Sequence, residues 1–317
     1  RSHENKAALV LAPHWNWHMA PIASQIFSDC RGRHRHNLSL RVHWKGPRID
    51  FVREANAHDL IIVGGGNFFE LYVERSRTGA TFDVPPEQLK RISTPIIFNG
   101  LGFDAYKGSS PATIERFCTF LDHVLATPRN SVSVRNDGSL DTMRRILGAA
   151  YSERVTRIAD CGFFLDLPGT AAEKPIIAVN VAADMPEFRF EAHAKGGATL
   201  NATEAMAELA MALTTLTDAD PELRVVFVPH VFSDLEAISN VLCALPDSLR
   251  RRRVDVAPLE SALNGYARSF DIYRSARVVL AMRFHATVCP LGMGRPVVCM
   301  TSYPKMADTL REIEREE

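Results

Sequence analysis

Residues 278–305 read VVLAMRFHATVCPLGMGRPVVCMTSYPK, and the fold follows from how this stretch is punctuated. The apolar run 278–281 has the length and composition of a strand buried on both faces, as in a parallel sheet. It stops at Arg283, Phe284 and His285, which places a cation and a titratable ring at the carboxyl end of a strand, where open α/β sheets bind their ligands. Residues 286–293 are a helix-compatible piece closed by Gly292 and Gly294. A second buried strand, 296–300, then delivers Tyr303, Pro304 and Lys305 to the same edge. Arg283, His285 and Lys305 together make an anion site with a proton donor inside it.

The preceding hundred residues follow the same alternation. A strand over 176–181 opens this half, and Met206, Leu209, Leu213 and Leu216 mark the apolar stripe of the helix after it. The strand 224–228 ends in Pro229-His230, where His230 either reaches a cleft or caps a helix. Ser233 and Glu236 have capping-box spacing ahead of Leu235, Ile238, Leu242 and Leu245. Four arginines at 250–253 read as a solvated edge before a short strand, 254–256, and a charged helix over 306–317 closes the chain.

Toward the N-terminus, a strand over 59–63 runs straight into Gly64, Gly65, Gly66 and Asn67. Three glycines permit a tight turn and close backbone approach to a ligand, but the spacing is neither that of a dinucleotide fingerprint nor that of a P-loop. A strand over 94–98, a helix over 112–125 and a strand over 131–134 follow, the last ending at Arg135. Ser139 then starts a helical pattern, so Arg135 stands ahead of a helix start, a place suited to an anion. Residues 157–165 read as the last strand of this half, with Asp160 inside it. At the start of the chain, 7–11 reads as the first strand. Residues His14, Trp15, Asn16, Trp17 and His18 read as a loop whose tryptophans pack or meet a sugar. The basic stretch 31–48 reads as a solvated face around a strand at 38–42, and functionally as a cradle for an anionic, lipid-linked acceptor. Small residues with proline and glycine at 167–175 read as a linker, dividing the chain into α/β domains of 1–168 and 174–317.

Composition narrows the function classes. The 37 basic residues balance 37 acidic ones, which argues against a general nucleic-acid binder and makes any basic site local. No apolar run approaches the roughly 18 residues of a membrane span, and no signal-like segment is seen. The expectation is a cytoplasmic protein, with 31–48 as its contact with the inner face of the membrane. Six scattered cysteines without a C-x-x-C suit reduced thiols, four of them (Cys118, Cys243, Cys289 and Cys299) in apolar surroundings, and no metal ligand set is legible. Chemistry alone points to a transferase using an anionic donor, without metal or cofactor.

Four pieces sharpen this: DLIIVGGGN at 59–67, SVR with the following Ser139, PH at 229–230, and the MRFHA, GRPVV and SYPK segments between 282 and 305. They resemble the polysaccharide pyruvyl transferase family, from about Asp59 to Lys305. The resemblance implies a fold like that of GT-B glycosyltransferases: two doubly wound, Rossmann-like α/β domains facing a cleft, with 1–168 the acceptor side and 174–317 the donor side. It implies transfer of pyruvate from phosphoenolpyruvate to two hydroxyls of a sugar as a cyclic ketal, with release of phosphate. By position it implies that Arg135, Arg283 and Lys305 hold the donor and that His285 is the general acid. Gly65, Gly66, Asn67, His230 and Tyr303 are candidates for the acceptor side or the cleft. Two alternatives stand beside it. A nucleotide-sugar glycosyltransferase would be protected by a nucleoside diphosphate, and a non-catalytic carbohydrate-binding protein would bind sugar without releasing phosphate.

Overall fold

The computed structural model describes residues 51–64, 66–167, 171–185, 189–190, 201–259 and 265–316, with the backbone of 7–10 and 41–43. The His14–Trp–His18 motif, most of the basic stretch 31–48, and Gly65 lie outside the described residues. The chain divides into two compact units, the first including Ile22–Cys161 and Asp308–Glu317, the second Gly162–Ala307. The division falls at Cys161, shortly before the stretch 167–175.

The first unit holds β1 (Ala7–Val10), β2 (Arg41–His43), β3 (Leu60–Gly64), β4 (Phe69–Glu70), β5 (Ile96–Leu101), β6 (Phe103–Asp104), β7 (Ser131–Arg135) and β8 (Thr156–Ile158). Its helices are α1 (Phe51–Ala55), α2 (Pro86–Leu89), α3 (Pro111–Leu125), α4 (Ser139–Leu147) and α5 (Ala149–Ser152). Six strands form one parallel sheet in the order β2-β1-β3-β5-β7-β8. The chain adds β2 on one side of β1 and returns to the other side for β3. With right-handed crossovers, that reversal sends helices to both faces and opens a crevice at the carboxyl ends of β1 and β3. Phe69, Phe98, Phe117 and Phe120 fill the core beneath α3, with ring centroids 5.0–6.1 Å apart in tilted and edge-on pairs. Helix α3 starts where its sequence directs: Pro111 fits the first turn, and Ser110 and Thr113 exchange side chain and backbone hydrogen bonds.

The second unit holds β9 (Lys174–Asn180), β10 (Arg224–Phe227), β11 (Val254–Val256), β12 (Ala276–Ala281) and β13 (Val297–Cys299). Its helices are α6 (Ala202–Ala219), α7 (Asp234–Ala244), α8 (Asp247–Arg253), α9 (Gly265–Ser275), α10 (Phe284–Gly292) and α11 (Pro304–Glu312), the last passing into the first unit at Asp308. The sheet is parallel, ordered β11-β10-β9-β12-β13, so its direction reverses between β9 and β12. Ile177, Val179, Val225 and Phe227 are buried in its core together with Leu213 of α6, and supply the near-continuous apolar strands that a sheet covered on both faces requires. Two doubly wound parallel sheets are the α/β class the sequence implies.

Several local expectations give way. The strand read over 157–165 ends at Ile158, and Cys161–Phe164 form a 3-10 turn. The Asp160 amide donates to Asn136 Oδ1 at 2.8 Å, which turns the chain out of the sheet. On α6 the apolar stripe steps from Leu213 to Thr217 rather than to Leu216, which is exposed; Thr217 satisfies its hydroxyl on the Leu213 carbonyl at 2.9 Å. Leu235 is also exposed, and Ser233 makes no side-chain cap. Cys289 is buried, but Cys243 lies at the surface.

Candidate active site

In the second unit, the site is built where the sheet reverses. Asn180, the last residue of β9, is fully buried. Its Nδ2 donates to the Val228 carbonyl at 3.0 Å, its Oδ1 accepts from the Arg283 amide at 3.0 Å, and its carbonyl accepts from Met282 at 3.0 Å. One side chain thus ties the carboxyl ends of β9, β10 and β12 together. Arg283 leaves β12 there as the residue before α10, and His285 is the second residue of that helix. His285 is half-buried, with Phe284 edge-on to its ring at 5.2 Å. Tyr303 and Lys305 follow β13 at the same sheet edge; Tyr303 is half-buried and Lys305 buried.

The Arg283 guanidinium is committed to two carboxylates of the chain. Its Nε donates to both oxygens of Asp234, at 3.0 and 2.9 Å, and one terminal nitrogen donates to Asp234 and to Asp184. Burial lowers its pKa, but Asp234 and then Asp184 outweigh that and raise it. Asp234 also accepts from the His230 and Val231 amides, at 2.8 and 3.2 Å, closing the loop into α7. Asp184 is shared with Arg189, whose Nε donates to the Asp184 carbonyl at 2.8 Å and whose NH1 donates to Ser302 Oγ at 2.9 Å. Burial pushes the Asp184 carboxyl up, yet Arg283 and then Arg189 hold it below its ordinary range. His230 is buried, and its Nε2 lies 2.7 Å from the Tyr273 hydroxyl, so its ring serves the interior. Burial, followed by Asp234, raises the Tyr273 phenol well above its ordinary range.

In the first unit, Gly66 and Asn67 follow β3. The Gly66 carbonyl accepts from Gly102 at 2.9 Å, and Asn67 Nδ2 bridges Glu70 and Asp104, each at 2.9 Å. Glu70 also pairs with Lys107 at 2.6 Å. A Cβ on Gly102 would lie 2.1 Å from Asn67 Oδ1 and 2.9 Å from a terminal nitrogen of Arg135, so both side chains close on this one glycine. Arg135 is buried, donates to Asp137 at 2.6 Å and lies 3.5 Å from Asp160. The amides at the start of α4 are also occupied: Gly138 donates to Glu312 at 3.0 Å and Ser139 to Asp137 at 3.3 Å. Arg135 thus faces Asp137 and Asp160, the Gly138 amide faces Glu312, and the Ser139 amide faces Asp137. Among the described residues, no group of three or more His, Cys, Asp or Glu is placed to hold a metal.

Residues 16–302 match the polysaccharide pyruvyl transferase family. The chain belongs to that family. It is therefore a transferase that acts on polysaccharide, and the matched span ends three residues before Lys305. No curated protein matches this pyruvyl transferase. Among solved structures, S. aureus MnaA with UDP aligns over 96% of this chain and 82% of its own, at 12% identity and a TM-score of 0.48. The Neisseria meningitidis UDP-GlcNAc 2-epimerase bound to UDP-GlcNAc aligns over 98% and 85%, at 10% identity and 0.48. The Methanocaldococcus jannaschii UDP-GlcNAc 2-epimerase aligns over 96% and 86%, at 9% identity and 0.48. No helix of the described residues is long and apolar enough to cross a membrane.

The sequence singles out Arg283, His285 and Lys305 at this edge but not Asn180, Asp184, Arg189 or Asp234. Asn180 ends an evident strand and Asp184 follows it, and polar residues at a strand's carboxyl end were the available signal. Asp234 carries a signal too, as an acid in the first turn of a helix, but its spacing was overshadowed by Ser233 and Glu236. Arg189 has no local signal.

Proposed function

We propose that this chain transfers pyruvate from phosphoenolpyruvate to two hydroxyls of a sugar in a polysaccharide or its precursor, forming a cyclic ketal and releasing phosphate. The observation that carries the reading is the position of Arg283 and His285 at the reversal point of the second sheet, with Lys305 following the adjacent strand. A donor bearing a carboxylate and a phosphate suits cations at that edge, and a half-buried imidazole beside them suits proton delivery.

His285 protonates the methylene carbon of phosphoenolpyruvate, leaving cationic character at the adjacent carbon. A sugar hydroxyl adds there and gives up its proton. The carbon–oxygen bond to phosphate then breaks with Lys305 nearby to balance the departing charge. A second hydroxyl adds to the same carbon, loses its proton and closes the ring. One proton is consumed at carbon and two are released from the hydroxyls, one of which leaves on hydrogen phosphate.

Thermal unfolding with phosphoenolpyruvate and with a set of nucleotide sugars tests the donor. A ligand present at 100 times its dissociation constant adds about 2.7 kcal/mol. Stabilisation by phosphoenolpyruvate is expected; stabilisation by nucleotide sugars alone would sink the reading. His285→Ala should retain that stabilisation while turnover falls about 10²–10⁴-fold, the usual contribution of a general acid.

A further inference from the structure

We propose that Arg189 and Arg283 form a carboxylate site in the second unit, that Asp184 occupies it in the free protein, and that the donor's carboxylate takes the place of Asp184. The two anions on Arg283 are unlike. Asp234 is fully buried and is held by two backbone amides besides the guanidinium. The Asp184 side chain is 31% exposed, and its carboxylate is held by the two guanidiniums. Both arginines have anchors that survive its departure. Arg283 keeps Asp234, while Arg189 keeps the Ser302 hydroxyl and the Asp184 main-chain carbonyl.

Charge argues in the same direction. With Asp184 in place, two guanidiniums face two carboxylates and the cluster is neutral. When Asp184 swings out, one positive charge is left among side chains only 12% and 8% exposed, an arrangement that is costly until another anion enters. A planar carboxylate bridging two guanidiniums is the geometry already formed, so a ligand carboxylate fits with little rearrangement. Ser302, three residues before Lys305, ties Arg189 to the edge where the donor is placed. Asp184 thus competes with the ligand, and its competition weakens apparent affinity by the fraction of time it sits in the site.

The ligand's identity as the donor rests on the proposed function; the carboxylate site does not. Isothermal titration of the full chain with malonate and with phosphoenolpyruvate separates the two. Asp184→Asn removes the competing charge while keeping the shape, and should bind each ligand about tenfold more tightly than the wild type, or about 1.4 kcal/mol. Asp184→Ser, a small change at a partly exposed position, should show the same gain. Adding Arg189→Gln to either variant should abolish it. A variant that folds and binds malonate no more tightly than the wild type overturns the proposal. If malonate binding tightens but neither protein binds phosphoenolpyruvate, the carboxylate site stands and the donor assignment falls.

Discussion

Asp184 is also one of the carboxyls through which this protein responds to acid. Its carboxyl is held below its ordinary value of 3.8 because Arg283 and Arg189 outweigh the effect of burial. A lowered folded-state pKa means that the carboxylate stabilises the protein above the unfolded value, and that this stability is lost as pH falls through the lowered one. Urea-unfolding midpoints taken at about pH 5 and about pH 3 should therefore drop less for Asp184→Asn than for the wild type. Equal drops would show that the pair contributes nothing. At this scale the sequence was legible in one direction. Arg283 and His285 stand out because they end an apolar run, whereas their partners do not: Asp234 lies 49 positions from Arg283 and Asp184 lies 99. A pair made over such separations leaves no local pattern, and a single aspartate reads as a solvated one.

Helix starts show why elements were read well and their ends less so. Ser110 and Asn201 stand in extended backbone, and each accepts from the amide three residues on. Ser233 has the same spacing to Glu236 but already lies in helical backbone, with φ −63° and ψ −22°, and its hydroxyl makes no cap hydrogen bond. Asp234 does the closing work from inside the helix, reaching back to His230 and Val231. Ser233→Ala should therefore change stability by less than about 0.5 kcal/mol, as an ordinary surface substitution does. Asp234→Ala removes the buried partner of Arg283 and should cost about 3–5 kcal/mol. Chemical denaturation of the two variants decides between sequence pattern and structure; comparable losses would restore the capping box. The strands were legible because buried parallel strands are continuous apolar runs. The exception, 157–165, failed because Asp160 spends its amide on Asn136 instead of a neighbouring strand.

Taken whole, the described residues carry two large parallel sheets with different strand orders, each reversing once beside a stretch the sequence had singled out: the glycines at the end of β3 and the RFH after β12. Alternating strands and helices made that α/β plan legible. The destination of the last ten residues was not, because a charged closing helix carries no mark of which core it joins. They belong with the first unit. Glu312 accepts from the Gly138 amide and faces Arg157 at 3.3 Å, while Asp308 accepts from the Tyr106 hydroxyl at 3.2 Å. Asp308 also packs so closely on Gly138 that a Cβ there would meet its side chain at 2.5 Å. A fragment cut after Cys161 should gain about 1–3 kcal/mol when residues 308–317 are rejoined through a linker, the cost of leaving a buried donor unmet. Identical urea midpoints with and without the tail would contradict this. The same feature governs recombination. Among the described residues, an exchange of second units between two such transferases has one seam near residue 161 and one near 307. A chimera spliced only at the first would set a foreign tail against Gly138, and its defects would be mistaken for a failure of the donated half.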